Sequence, residues 1–426
     1  MTDNLFLTFP SCSDEQDTSV FSAEQARQSI LEAVTPLGNA AAELLPLLDV
    51  LDRVLAEDVI STLNVPPHDN SAMDGYALAA SELPVHGDTR VLHVVGSSFA
   101  GHPFAGDCGH GECVRIMTGA VLPDGLDTVI PLEHVQALDT TTIRVDARTR
   151  RGDNVRYAGE DIRQGQVILA RGRRITSADL GLLASLGKQQ VSVMRQPRVA
   201  FFSTGDELRY PGEALRPGEI YDSNRYTLYA MLKRLNCRIT DFGIVRDDPV
   251  VLREALISAA SDHDVIISTG GVSVGEADYV RQVLGEQGNI AFWKVAMKPG
   301  RPLTFGQLGP ALFFGLPGNP VAVMVSFCQF VHPALLRLSG ECVNQPFILQ
   351  AVSNSSLKKR PGRTEFQRGI LSHAPDGSLT VSKTGEQGSG VLTSMSRANC
   401  FIVLAAEQTR VEPGTVVIVQ PFTNWL

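Results

Sequence analysis

Several familiar patterns are missing from this chain, and each absence narrows the field. Its seven cysteines are an odd number scattered without paired spacing. That excludes a disulfide framework and leaves Cys108 and Cys113 as a weak pair with no zinc pattern around them. No GxGxxG follows a first strand and no GxxxxGK[ST] occurs, which removes support for dinucleotide and P-loop binding. A net charge of −9 at pH 7 argues against a broad nucleic-acid footprint. No apolar run reads as long enough to cross a bilayer, so no membrane contact is expected. The first 20 residues lack Lys, Arg and an apolar centre. They read as a polar tail of a cytoplasmic protein rather than as a secretory signal. Histidine is nearly absent from the loops singled out below, which argues against imidazole as a general base.

What is present is a chain of 426 residues, 43% hydrophobic and 19% charged, too long for one ordinary core. Ser22 to Gln25 form a capping-box pattern, and Ala26, Ile30, Leu31 and Val34 follow at helical spacing up to Pro36. A second apolar stretch runs from Leu44 to Ile60. From 64 to 160 short β-type runs, RVLHVV, ECVRIM, TVIP and TIRV, alternate with Gly and Pro, the texture of a small barrel or sandwich. Two stretches there, PPHDNSAMDGY at 66–76 and RIMTGA at 115–120, are either turn chemistry or a site. The run 177–187, SADLGLLASLG, reads as a helix capped by Ser177 and stopped by Gly187. The expected division is a tail at 1–20, a discontinuous mixed domain at 21–63 plus 161–195 that serves as a lever or an interface, and an inserted β-rich domain at 64–160. An α/β domain at 196–340 and a C-terminal β domain at 341–426 complete it.

The α/β domain is the most legible. Strand candidates at 198–203, 238–245, 264–268, 291–297 and 311–315 alternate with helices, the pattern of a doubly wound parallel sheet. Asp248 and Pro249 supply cap and first turn for one helix, and Pro320 opens another. Ligands of such sheets sit beyond the carboxyl ends of the strands. Those ends carry Glu207, then Asp247 and Asp248, then the loop Gly270, Gly271, Ser273, Glu276 and Asp278. Next come Lys298 and Arg301, and last Pro317, Gly318, Asn319 and Pro320. The carboxylates are hard oxygen ligands of the kind Mg²⁺ takes, while Lys294, Lys298, Arg301 and the loop amides suit an oxyanion. A solvated rim of ion pairs is the alternative.

Nine stretches in order, DNSAMDGYA, RIMTGA, GEDI, STGDEL, IYDSNR, RDDP, GGVSVGEADY, KPGRP and LPGNP, resemble the molybdopterin molybdenumtransferase family, the MoeA and gephyrin E-domain type. The resemblance implies a molybdopterin-binding α/β domain like that of MogA, with an inserted small β domain, a discontinuous mixed domain and a C-terminal β-barrel-like domain. It implies insertion of molybdate into adenylylated molybdopterin, with Mg²⁺ assistance and release of molybdenum cofactor and AMP. A homodimer is implied, its pocket shared between the α/β domain of one subunit and the inserted domain of the other, with a molybdopterin adenylyltransferase and other cofactor-biosynthesis proteins as partners. Carried over by motif, Asp74, Thr118, Arg156 and Asp161 are the functional positions of the inserted side. Glu207, Asp247, Asp248, Asp278, Lys294 and Lys298 are those of the α/β side, with Ser273 and Pro317 in substrate binding and Pro320 beside them. Glu207 and Asp278 would hold the metal; Lys298, Arg301 and Arg368 would hold molybdate. Arg301 replaces the Lys of many members, a planar fork for a point charge. A non-catalytic gephyrin-like scaffold and a pterin adenylyltransferase are the competing readings.

Overall fold

The computed structural model describes residues 20–85, 87–270 and 288–422. Gly271, Ser273, Glu276 and Asp278 lie outside them, so those four expectations are left where the sequence put them. The first described helix, α1 (Ala23–Ala33), starts in the expected capping box, with Ser22 Oγ accepting from Gln25 N–H and the Gln25 side chain accepting from Ser22 N–H. Its buried residues Ala26 and Ile30 join the core of the α/β region, not one shared with residues 161–195. The chain divides into two compact units, residues 44–51 with 57–192, and residues 1–43, 52–56 and 193–426.

In the unit of residues 44–51 and 57–192, six strands form one sheet: β1 (Gly75–Leu78), β2 (Thr89–Ser98), β3 (Glu112–Ile116), β4 (Thr128–Pro131), β5 (Val135–Ala137) and β6 (Thr142–Asp146). Their order is β4-β1-β3-β2-β6-β5. Strand β1 was read only as part of a turn-rich motif, yet it pairs on both sides. The sheet has an apolar cluster on each face, Ala77, Val114, Ile116 and Val129 in one and Leu78, Leu92, Ile130 and Ile143 in the other. This alternation is what a two-faced sheet requires. Helix α2 (Ser177–Ser185) is capped by Thr176 in a box with Asp179, so the cap is one residue earlier than expected. The threonine wins because its hydroxyl reaches the N3 amide from extended backbone.

The other unit is built on a six-stranded sheet. Its strands are β7 (Arg198–Thr204), β8 (Arg238–Val245), β9 (Val265–Thr269), β10 (Gly288–Lys294), β11 (Pro302–Leu308) and β12 (Ala311–Leu316), in the order β8-β7-β9-β12-β11-β10. Strands β8, β7, β9 and β12 are parallel. The strand expected at 291–297 is instead the antiparallel edge strand β10, hairpinned to β11, which was not foreseen. A short link between β10 and β11 leaves no room for the crossover that a parallel pair needs. Helices α3 (Asn224–Arg234), α4 (Pro249–Asp262), α5 (Pro320–Ser326) and α6 (His332–Leu338) cover the sheet, α5 and α6 joined by a π turn at Phe327–Val331. One core cluster joins Val199, Phe201, Ile267 and Phe314 to Leu228, Val323 and Phe330; a second, with Ala200, Phe202 and Leu256, fills the other face. Contrary to the sequence reading, the 19-residue helical stretch Pro320–Leu338 is long and apolar enough to span a bilayer, but 78% of it is buried in this core.

Strands β13 (Leu349–Ser353), β14 (Thr364–His373), β15 (Leu379–Lys383), β16 (Cys400–Leu404) and β17 (Val416–Pro421) close into a barrel, β14-β15-β13-β17-β16 and back to β14. Closure removes the free edges that a small open sheet would expose. Met297 and Lys298 pair in parallel with Thr364 and Glu365, joining the barrel to the end of β10.

Candidate functional site

A cavity of about 980 Å³ opens where the carboxyl ends of β7, β9 and β12 meet the barrel. Its wall takes Glu207 from the loop after β7, Gly270 from the loop after β9, and Pro317 to Pro320 from the loop after β12. Lys298 and Arg301 come from the β10–β11 hairpin, and Asp222 and Asn224 from the start of α3. The barrel adds Arg363 and the segment Glu386 to Ser389. The parallel strands end together, so the loops that follow them must converge.

Both signs of charge face this space. The exposed Glu207 carboxylate is folded back on its own turn: a Cβ at Gly205 would lie 2.6 Å from Glu207 Oε2, at φ +146°. Glycine is therefore what lets that carboxylate sit over the β7 turn. Across the wall, Lys298 Nζ lies 3.2 Å from Oε1 of the buried Glu365, whose Oε2 accepts from Gln367 Nε2 at 3.0 Å. The Lys298 side chain is about half exposed, so it anchors on the barrel while keeping a face for an anion. Arg301 is exposed on the same hairpin, and Arg363 is a cation the sequence reading did not single out. Nothing marked Arg363 in advance, because it lies 62 residues beyond Arg301, just before β14, and only the barrel brings it back.

Arg368 is placed differently from the expectation. It is 1% exposed, donates from Nε to Ser394 Oγ at 2.9 Å and from an Nη to Gly388 O at 3.0 Å, and does not line the cavity. Burial pulls its guanidinium down to about 10. Its backbone N–H donates to Gln387 Oε1, and Val321 N–H donates to Ser389 O, so Arg368 shapes the barrel segment that overlies α5. Asp248 is the N-cap of α4, accepting from Val250 and Val251 N–H at 2.8 and 3.1 Å. Asp247, Asp248 and the exposed Lys294 are not among the cavity-lining residues.

In the other unit, the stretches at 69–76, 115–122 and 154–161 come together at one edge. Thr118 donates to Asp74 Oδ1 twice, from its backbone N–H at 2.8 Å and its hydroxyl at 2.7 Å. These two bonds, the backbone one first, hold the Asp74 carboxyl below the usual carboxylate range. Arg156 pairs with Asn70 across a two-residue ladder, Ala158 N–H donates to Asp69 Oδ1, and Asp161 is bonded through its backbone to Val65 O. Arg156 and Asp161 are both exposed.

Three family descriptions cover the chain in order. Residues 21–187 match the MoeA N-terminal region, domains I and II; residues 200–337 match the probable molybdopterin binding domain; residues 350–422 match the MoeA C-terminal region, domain IV. The molybdopterin molybdenumtransferase of Haemophilus influenzae is 42% identical over 404 residues, 95% of this chain and 99% of that protein. The chain belongs to the molybdopterin molybdenumtransferase family. A Nostoc protein of the same name is 37% identical over 88% of each chain. Among solved structures, the molybdopterin biosynthesis MoeA protein of Pyrococcus horikoshii OT3 superposes with a TM-score of 0.82 at 26% identity, over 95% of this chain and all of that one. The cavity therefore lies, in this family member, between the region matching the probable molybdopterin binding domain and the domain IV barrel.

Proposed function

We propose that this protein inserts molybdate into adenylylated molybdopterin in the cytoplasm, cleaving the pterin–AMP bond and releasing molybdenum cofactor and AMP. The observation that carries the reading is the cavity itself, with Lys298, Arg301 and Arg363 on one side and Glu207 on another. Two kinds of anion must meet in this reaction, a phosphate-linked pterin and an incoming oxyanion. A planar guanidinium holds an oxyanion by paired donors, and an ammonium serves as a point charge. Gly270 and the turn after β12 offer backbone close to the phosphate, and the rigid Pro317–Pro320 turn shapes the wall beside it. The substrate's own dithiolene supplies the soft sulfur that molybdenum takes, so no cysteine is required of the wall.

Mg²⁺ belongs to the same proposal. The described residues hold no group of three or more His, Cys, Asp or Glu able to cage a cation. Glu207 nevertheless fits an ion of this type, which binds through one or two carboxylates and fills its shell with water and phosphate oxygens. That carboxylate lies against Gly205 on the cavity wall. Asp278 is the proposed second ligand. Bound there, Mg²⁺ would neutralise charge on the AMP phosphate. The chain's own part is to orient that phosphate and hold molybdate beside it.

The homodimer is proposed with the reaction, Asp74, Thr118, Arg156 and Asp161 serving the partner's cavity. An adenylyltransferase is the class of enzyme that must supply the substrate. The deciding assay supplies adenylylated molybdopterin and Mg²⁺ with and without molybdate and follows AMP. Release that depends on molybdate supports the proposal, and molybdate-independent release or none overturns it. Oxygen label carried from molybdate into AMP would identify molybdate as the attacking nucleophile, and its absence would identify water. Mixing inactive Asp74→Asn and Lys298→Ala proteins tests the dimer: activity should return if each subunit completes the other's site, and no recovery would overturn the sharing.

A further inference from the structure

Three strand-end loops of the cavity touch one another, and one side chain spans two of them. Gly270, at φ +83°, packs so closely that a Cβ there would lie 2.4 Å from Thr204 O, which fixes the β9 turn against the end of β7. A Cβ on Gly318 would lie 3.8 Å from Gly270 Cα, so the β12 loop rests on the same turn. Asn224, the first residue of α3, reaches into this contact. Its Nδ2 donates to Thr269 Oγ1 at 3.2 Å and to Gly318 O at 2.7 Å. The residue is 9% exposed, and its Oδ1 is buried with no hydrogen-bond partner among the described residues.

Its two donated bonds hold the β9 turn and the β12 loop at one spacing, with the backbone of α3 as the fixed support. Both loops line the cavity.

We infer that Asn224 is a positioning residue, whose amide sets the spacing of the Thr269–Gly270 turn and the Gly318 carbonyl and thereby the fit of the cavity to its phosphate-linked ligand. The inference rests on the proposed function for its ligand but not for its geometry.

The test uses the full-length protein and two single variants, Asn224→Ala and Thr269→Val, with their double. In the molybdate-dependent AMP-release assay, Asn224→Ala should raise KM for adenylylated molybdopterin about tenfold while kcat stays within about threefold, the size expected for a lost positioning bond. Thr269→Val should move KM in the same direction by less, and the double variant should be no worse than Asn224→Ala. A residue that only supports folding would lower the active fraction and leave KM unchanged, which overturns the inference. Backbone hydrogen exchange on the ligand-free protein separates this from failure of the proposed function. Exchange should rise together at 269–270 and 316–319 in Asn224→Ala, and a rise in one loop alone, or in neither, also overturns it. Should Asn224→Ala fail to fold, Thr269→Val carries the same readouts.

Discussion

The cavity of the α/β unit and the edge around Asp74 solve opposite problems. At the edge, the carboxylate already has its donors: Thr118 supplies two, and the Asp74 carboxyl is held low as a result. In the cavity, Glu207 and Arg301 face outward from glycine and proline turns, and Lys298 is only half covered by its bond to Glu365. One region fixes a charge by satisfying it locally. The other fixes the backbone and leaves charge for a ligand to satisfy. The contrast teaches that a site can be pre-organised through its side chains or through its loops, and that the two respond differently to mutation.

The contrast is most exposed to failure at Glu207. Replacing it with Gln should lower molybdate-dependent AMP release by about 100-fold, the scale of losing one charged group at a reacting centre. The thermal midpoint should hardly move, because no buried bond is lost. A large loss of stability would place Glu207 with the structural carboxylates instead.

Arg368 supplies the converse. Arg368→Ala removes a buried guanidinium together with its bonds to Ser394 Oγ and Gly388 O, and should cost roughly 3 kcal/mol in denaturant unfolding. Arg368→Lys should recover part of that. If stability is unaffected and only molybdate affinity falls, the arginine serves the ligand directly.

Asp248 sharpens the comparison at the rim of the same unit. Asp248→Asn keeps the cap on α4 and should leave stability nearly unchanged, whereas Asp248→Ala should lose about 1 kcal/mol. Activity within about threefold of wild type in Asp248→Asn would mark the residue as a cap, and a large loss would restore it to the chemistry.

The smallest effect is expected at the edge. Thr118→Val deletes one of the two kinds of donor to Asp74, so the carboxyl should titrate nearer the ordinary carboxylate range, read by carbon NMR of the side chain. Because the folded value is depressed, the wild-type bonds contribute stability above the ordinary carboxylate pKa and lose it as pH falls through the folded value. The variant should shift that loss to higher pH. An unchanged titration would mean that the backbone donor alone sets the value.

How much of this was visible beforehand depended on the range of the interaction. The capping box at Ser22, the Asp248–Pro249 start of α4 and the strand β9 were legible because each is decided within a few residues. The antiparallel β10–β11 edge was not, since an apolar run carries no sign of its partner's direction. Strand β1 was hidden in a motif whose Asn, Asp and Gly residues read as turns, and pairing on both sides overrode that local preference.

The site divides along the same line. Sequence alone determined which residue types end each strand, and the order of the family motifs named the chemistry, because local composition and motif spacing survive without a fold. Only the tertiary structure decided which of those residues share a space. It put Arg363 and Gln387 on the cavity wall, turned Arg368 inward, gave Asp248 to a helix cap, and set Asn224 between two loops. The reason is physical: whether a charge faces a ligand or is consumed by a neighbour depends on contacts between segments far apart in the chain, and no local pattern encodes those distances.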